Sequence, residues 1–179
     1  MSQRRGLALN LYLAVFILGG AALLQSTVIP TLSMLPFGVG VRPSLVLLLV
    51  VFWSIVRGGV EGTLWGFVGG LALDLFSGGP WGVSTLALTL VGLLTGFAEI
   101  NLSRSNLLFP MAMTFGASLL YDLICLTLLR LAGWQMALLD TFLVAILPTA
   151  ILNVLLSFVV FPLVLGLNRL VGGGRQLRW

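Results

Sequence analysis

Arg57-Gly58-Gly59-Val60-Glu61-Gly62-Thr63-Leu64-Trp65-Gly66-Phe67-Val68-Gly69-Gly70-Leu71-Ala72-Leu73-Asp74-Leu75-Phe76-Ser77-Gly78-Gly79-Pro80 is the stretch that sets the fold. Its glycine turns bracket the run 60–76, close to the lower limit of about 17 residues for a helix that crosses the hydrocarbon core. Inside that run Gly62, Gly66 and Gly70 recur at every fourth position, with Gly58 one step before and Asp74 one step after. Residues four apart share a helix face, so one ridge of this helix is nearly bare backbone. Lipid supplies little hydrophobic force between helices, and small ridges allow the close backbone approach on which their packing depends. The ridge therefore reads either as packing within the protein or as a groove for another protein's helix.

Composition carries the membrane reading outward to the whole chain of 179 residues. Hydrophobic residues make up 59% and charged residues 8%, against roughly 25% charged in soluble domains. With a mean hydropathy of +1.16 nothing remains to build a polar shell, which excludes a soluble enzyme. The chain has no His and no Lys, so it lacks an imidazole base, the usual zinc ligand and a Schiff-base amine. No metal site and no cofactor is expected. The single cysteine, Cys125, sits among Leu123, Ile124, Leu126 and Leu128 and reads as a small core filler. The nine arginines are too scattered for nucleic acid and read as topology signals.

Six apolar runs nearly exhaust the sequence: about 7–29, 39–56, 60–76, 82–98, 107–131 and 138–161. The expected fold is an all-α membrane protein, one integral membrane domain of six transmembrane helices embedded in membrane lipid. A re-entrant hairpin stays open for the short second and third runs. Pro148 is expected to kink the last helix. With the N-terminus in the cytoplasm, Arg4, Arg5, Arg57, Arg104, Arg169, Arg175 and Arg178 fall inside and Arg42 and Arg130 outside. That positive-inside bias supports an even number of spans with both termini cytoplasmic. The first run is read as an anchor, because it is too long for a cleaved signal and lacks a cleavage site.

Among the polar side chains within the runs, four stand out. Asp74 and Asp122 are intramembrane acids, costly at the centre of a span and candidate functional groups for that reason. Asp74 is expected to accept from the amides of the Ser77–Gly79 turn or to pair with Arg42, or else to bind a partner or ligand. Gln25 and Asn153 read as hydrogen-bonding links between helices. Two such aspartates suggest an intramembrane protease, with Tyr121-Asp122 as half of its motif. Leu71-Ala72-Leu73 stands before Asp74 where a Gly-x-Gly is needed, and no Gly-x-Ser-x-Gly elbow occurs, so no catalytic residue is assigned.

The run Arg57-Gly58-Gly59, Glu61-Gly62, Gly66-Phe67, Gly69-Gly70-Leu71, Asp74-Leu75, Ser77-Gly78-Gly79-Pro80-Trp81-Gly82, Leu86-Ala87 and Val91-Gly92 resembles the MreD family, rod-shape-determining membrane proteins of bacteria. Leu24-Gln25, Pro43, Pro148, Asn153 and Pro162 extend the likeness over nearly the whole chain; Ser44 departs from it, where the family often has Pro followed by an acidic or amide residue. The resemblance implies a non-enzymatic scaffold in the bacterial cytoplasmic membrane. It would pair with the bitopic protein MreC and act with MreB and the peptidoglycan synthases RodA and PBP2 in lateral wall synthesis. It also implies a fold similar to the substrate-binding subunits of energy-coupling vitamin transporters. From that comes the alternative function, a small-molecule binder with an outward pocket near Asp74, Asp122, Trp81 and Trp134. Gly58, Gly62, Gly66, Gly70, Asp74, Pro80 and Gly82 are the candidate helix-packing or partner-binding residues, and Gln25, Asp122 and Asn153 the intramembrane polar ones.

Overall fold

The structure, a computed structural model, describes residues 12, 14–27, 42–97, 108–134 and 137–170. The described residues form six helices and no strand. These are α1 (Ala14–Thr27), α2 (Leu45–Arg57), α3 (Gly59–Ser77), α4 (Val83–Phe97) and α5 (Leu108–Leu131). The sixth, α6, runs as Leu138–Thr141, a π-helical turn Phe142–Ile146 and Leu147–Leu170. Arg4, Arg5, Arg104, Arg175 and Arg178 lie outside the described residues, as do the outer ends of the first expected run.

The second helix begins at Leu45 rather than near residue 39, with Ser44 extended directly ahead of it. Ser44 is its N-cap: the side-chain oxygen accepts from Leu47 N–H at 3.2 Å and so satisfies one of the first free amides. At 13 residues α2 is about 20 Å long, well short of a ~30 Å hydrocarbon core. It tolerates this because it is central rather than lipid-facing. Val46, Leu47, Leu48, Val50, Val51 and Phe52 are all wholly buried, and α3, α4, α5 and α6 pack around them. Ala14, Leu18 and Ala22 of α1 complete the same core.

The last helix continues to Leu170, past its expected end near 161, and Pro162 sits inside it. The irregularity expected at Pro148 falls just before it, in the π turn, where Leu147 N–H bonds to Phe142 O. A proline lacks the N–H that continues the i−4 ladder, and the wider turn ahead of it absorbs the mismatch. By length and composition, Phe109–Leu131 and Leu139–Arg169 are each able to cross a membrane alone, while α1, α2 and α4 are shorter apolar helices. Large apolar side chains face outward, among them Phe16, Leu23, Phe67, Leu86, Leu143 and Phe158. That outward apolar surface suits lipid and would be a liability in water.

Candidate functional site

The glycine ridge is occupied by α4, the helix with which α3 makes its most extensive contact. A Cβ at Gly70 would lie 2.6 Å from the Ser84 carbonyl oxygen and 2.7 Å from Thr85 N; one at Gly66 would enter the Leu88 carbonyl. At Gly62 it would meet the Gly92 carbonyl oxygen at 2.7 Å and the Ser54 hydroxyl, which itself donates to that carbonyl. The opposing helix answers with glycines of its own: Cβ atoms at Gly92 and Gly96 would run into Gly62 and Gly59. Gly58 stands at the foot of the ridge, where a Cβ on Gly96 would lie 2.8 Å from its carbonyl carbon. Its φ of 95° makes it the hinge between α2 and α3, with its N–H on Ser54 O at 2.8 Å and its carbonyl accepting from Gly62 N–H at 3.0 Å. Gly92 and Gly96 have the same four-residue, small-xxx-small spacing as the glycines of α3, a signal that sequence reading passed over.

Asp74 is 3% exposed and caps α4 from across the turn. Oδ2 accepts from Gly82 N–H at 2.9 Å, Thr85 N–H at 3.0 Å and the Thr85 hydroxyl at 2.6 Å. Oδ1 accepts from Ser84 N–H at 2.9 Å. The donors are therefore the first amides of α4, not those of Ser77–Gly79, and no ion pair with Arg42 forms. Gly82, with φ of 93°, brings its own amide into this cap, and Gly78 (φ 64°) and Pro80 shape the turn that leads to it.

Two polar knots pin the short central helix at its ends. Around Ser44, its backbone N–H donates to Asn153 Oδ1 at 2.9 Å, while Asn153 Nδ2 donates to the Ser118 hydroxyl at 2.7 Å. Gln25 Oε1 accepts from Val46 N–H at 3.3 Å, and Arg42 N–H donates to the Thr149 hydroxyl at 3.2 Å. Gln25 and Asn153 thus join α1, α2, α5 and α6 at one level. At the far end, Arg57 Nε donates to Asn168 Oδ1 at 2.6 Å, and the guanidinium lies 5.2 Å from the Trp53 ring centre and 3.9 Å from Glu61. Trp53 stacks on Trp65 at 3.9 Å and donates its indole N–H to Glu61 at 3.3 Å. Sequence reading took Arg57 only as a topology signal, because nothing in the sequence pairs position 57 with 168.

A cavity of about 570 Å³ opens beside Ser44, at the Pro80 end of the bundle. Gln25, Arg42 and Ser44 border it; Asp74, Pro80 and Ser84 form one wall, and Tyr121, Asp122 and Cys125 of α5 another. Trp81 and Trp134, expected there, do not line it; both are exposed. Asp122 Oδ2 is buried and has no hydrogen-bond partner among the described residues. The described residues hold no group of three or more His, Cys, Asp or Glu arranged to take a metal ion.

Compared with known proteins, residues 9–171 match a family model described as rod shape-determining protein MreD. No curated protein and no solved structure matches the chain.

Proposed function

The chain belongs to the MreD family of rod shape-determining proteins, and on that premise we propose that it is a non-enzymatic membrane scaffold of the cell-elongation complex whose cavity receives MreC. The family match, which covers nearly the whole chain, carries this reading. Family membership supports a role in rod shape determination and a place in the membrane. In this reading MreC is the direct partner, MreB, RodA and PBP2 belong to the same complex, and the protein sits in the bacterial inner membrane with both termini in the cytoplasm. That orientation puts the Arg57 knot on the cytoplasmic side and the cavity on the outer side, where a single-span partner with an external domain leaves the bilayer.

The surfaces left for docking favour the cavity. Gly62, Gly66 and Gly70 already hold α4, so the ridge is not open to a second helix. The cavity is concave, within the ~300–1,000 Å³ range of binding pockets, and sets the polar side chains of Gln25, Ser44, Ser84 and Asp122 among apolar walls. Photo-crosslinking residues placed at Ser26, Ser84 and Leu129 in native membranes should capture MreC, and one at Val159 on the outer face of α6 should not. Absence of MreC from all three cavity positions refutes the site. The cavity also suits the second reading, a vitamin-transporter subunit; recovery of paired ATPases with a transmembrane coupling protein would establish that reading instead.

A further inference from the structure

We propose that Asp122 selects the partner, its carboxylate taking a lysine or arginine side chain from the segment that enters the cavity; this rests on the docking reading above. Two aspartates border the cavity, from different walls, and differ in their partners. Asp74 has its oxygens filled by three amides and a hydroxyl of α4, so it needs nothing from outside. Asp122 is only partly buried, but its Oδ2 is shut away from solvent and no donor reaches that oxygen. Arg42 lines the same cavity without pairing with it, and the Arg57–Glu61 ion pair lies at the opposite end of α2.

An ionised carboxylate with no ion-pair partner at membrane depth is among the most costly groups a helix can carry. A neutral donor would fill the lone pair but leave the charge, whereas a basic side chain supplies both in one charge-assisted bond. The walls fit such a guest. Leu73, Val83 and Leu129 border the cavity, and the methylene stem of a lysine or arginine covers apolar surface of that kind while its head reaches a buried acid.

The test uses both full-length proteins reconstituted in nanodiscs, with affinity measured for wild type, Asp122→Asn, alanine variants of each basic residue in the MreC segment beside its span, and the double variants. Asp122→Asn should weaken binding by about tenfold or more, about 1.4 kcal/mol, with an unchanged or higher melting point for the protein alone. One basic residue of MreC should show the same loss, and the double variant should bind no more weakly than the weaker single. Unchanged affinity for Asp122→Asn, or additive effects with every basic residue, overturns the role of Asp122 while docking stands. A lower melting point for the isolated variant overturns it in favour of an internal structural role. Phosphatidylethanolamine that co-purifies with wild type and is lost from Asp122→Asn overturns it in favour of a lipid headgroup. Failure of folded wild type to bind MreC at all removes the docking reading itself.

Discussion

Replacing Asp74 with alanine strips the N-terminus of α4 of the acceptor that holds Gly82, Ser84 and Thr85. Three backbone amides and one hydroxyl lose their partner together. An orphaned buried donor costs about 1–3 kcal/mol, and the Gly82 and Ser84 amides are only partly buried, so water recovers part of the loss. The expected destabilisation is about 3–5 kcal/mol for Asp74→Ala. Asp74→Asn is the more informative variant. Its amide has one acceptor oxygen, and turning that oxygen toward Gly82 and Thr85 places the NH2 group against Ser84 N–H. The best orientation therefore forfeits one amide bond and the charge assistance on the others, about 1–3 kcal/mol. Thermal unfolding of the purified protein in detergent, followed by near-ultraviolet circular dichroism, should rank wild type above Asn and Asn above Ala. An Asn variant as stable as wild type, or equal losses for Asn and Ala, would refute the account of this carboxylate as the cap of α4. MreC binding should fall in Asp74→Ala only in step with folding, in contrast to Asp122→Asn.

Gly70→Ala places a methyl group against the backbone of Ser84 and Thr85 and should cost about 1–3 kcal/mol by overpacking; Gly116→Ala, which meets nothing within 4 Å, should be neutral or stabilising by up to ~1 kcal/mol. Equal melting points for the two would count against the α3–α4 contact as drawn. Arg57→Lys keeps the charge but loses the planar group that bonds Asn168 beside Trp53, and about 1–2 kcal/mol of stability should go with it; a variant that melts with wild type would show the knot to be dispensable.

Periodicity exposed the architecture more readily than the contacts. Apolar runs broken by glycine and proline mark the helices, because a span must be long, apolar and closed at its ends. The four-residue spacing of Gly62, Gly66 and Gly70 marks a close approach, since any side chain there would hold a neighbour away. Which neighbour approaches is a property of the turn, and Gly78-Gly79-Pro80 folds α4 directly back onto the ridge. The same turn explains why the donors to Asp74 could not be identified from nearby residues: the amides that reach it are those of positions 82, 84 and 85. Ser44 with Asn153, and Arg57 with Asn168, are contacts between residues more than a hundred positions apart. No local pattern encodes them. The start of α2 has a local sign, since Arg42-Pro43-Ser44 sets a charge, a proline and a capping serine directly before Leu45; the cavity joins side chains of α1, α3, α4 and α5, which no local pattern encodes.

The shortness of α2 also bears on how the protein is put together in the bilayer. A helix of 13 residues leaves about 10 Å of hydrocarbon thickness unmatched when lipid surrounds it, and only its neighbours remove that mismatch. A chain halted after Arg57 would hold α2 against lipid, pinching the membrane around it. Once α3 has followed through the Gly58 hinge, the pair can enter as one hairpin with its short arm sheltered. Biogenesis is thereby biased toward co-insertion of α2 with α3, and a lengthened linker at Gly58 would delay assembly even where the finished bundle is unchanged.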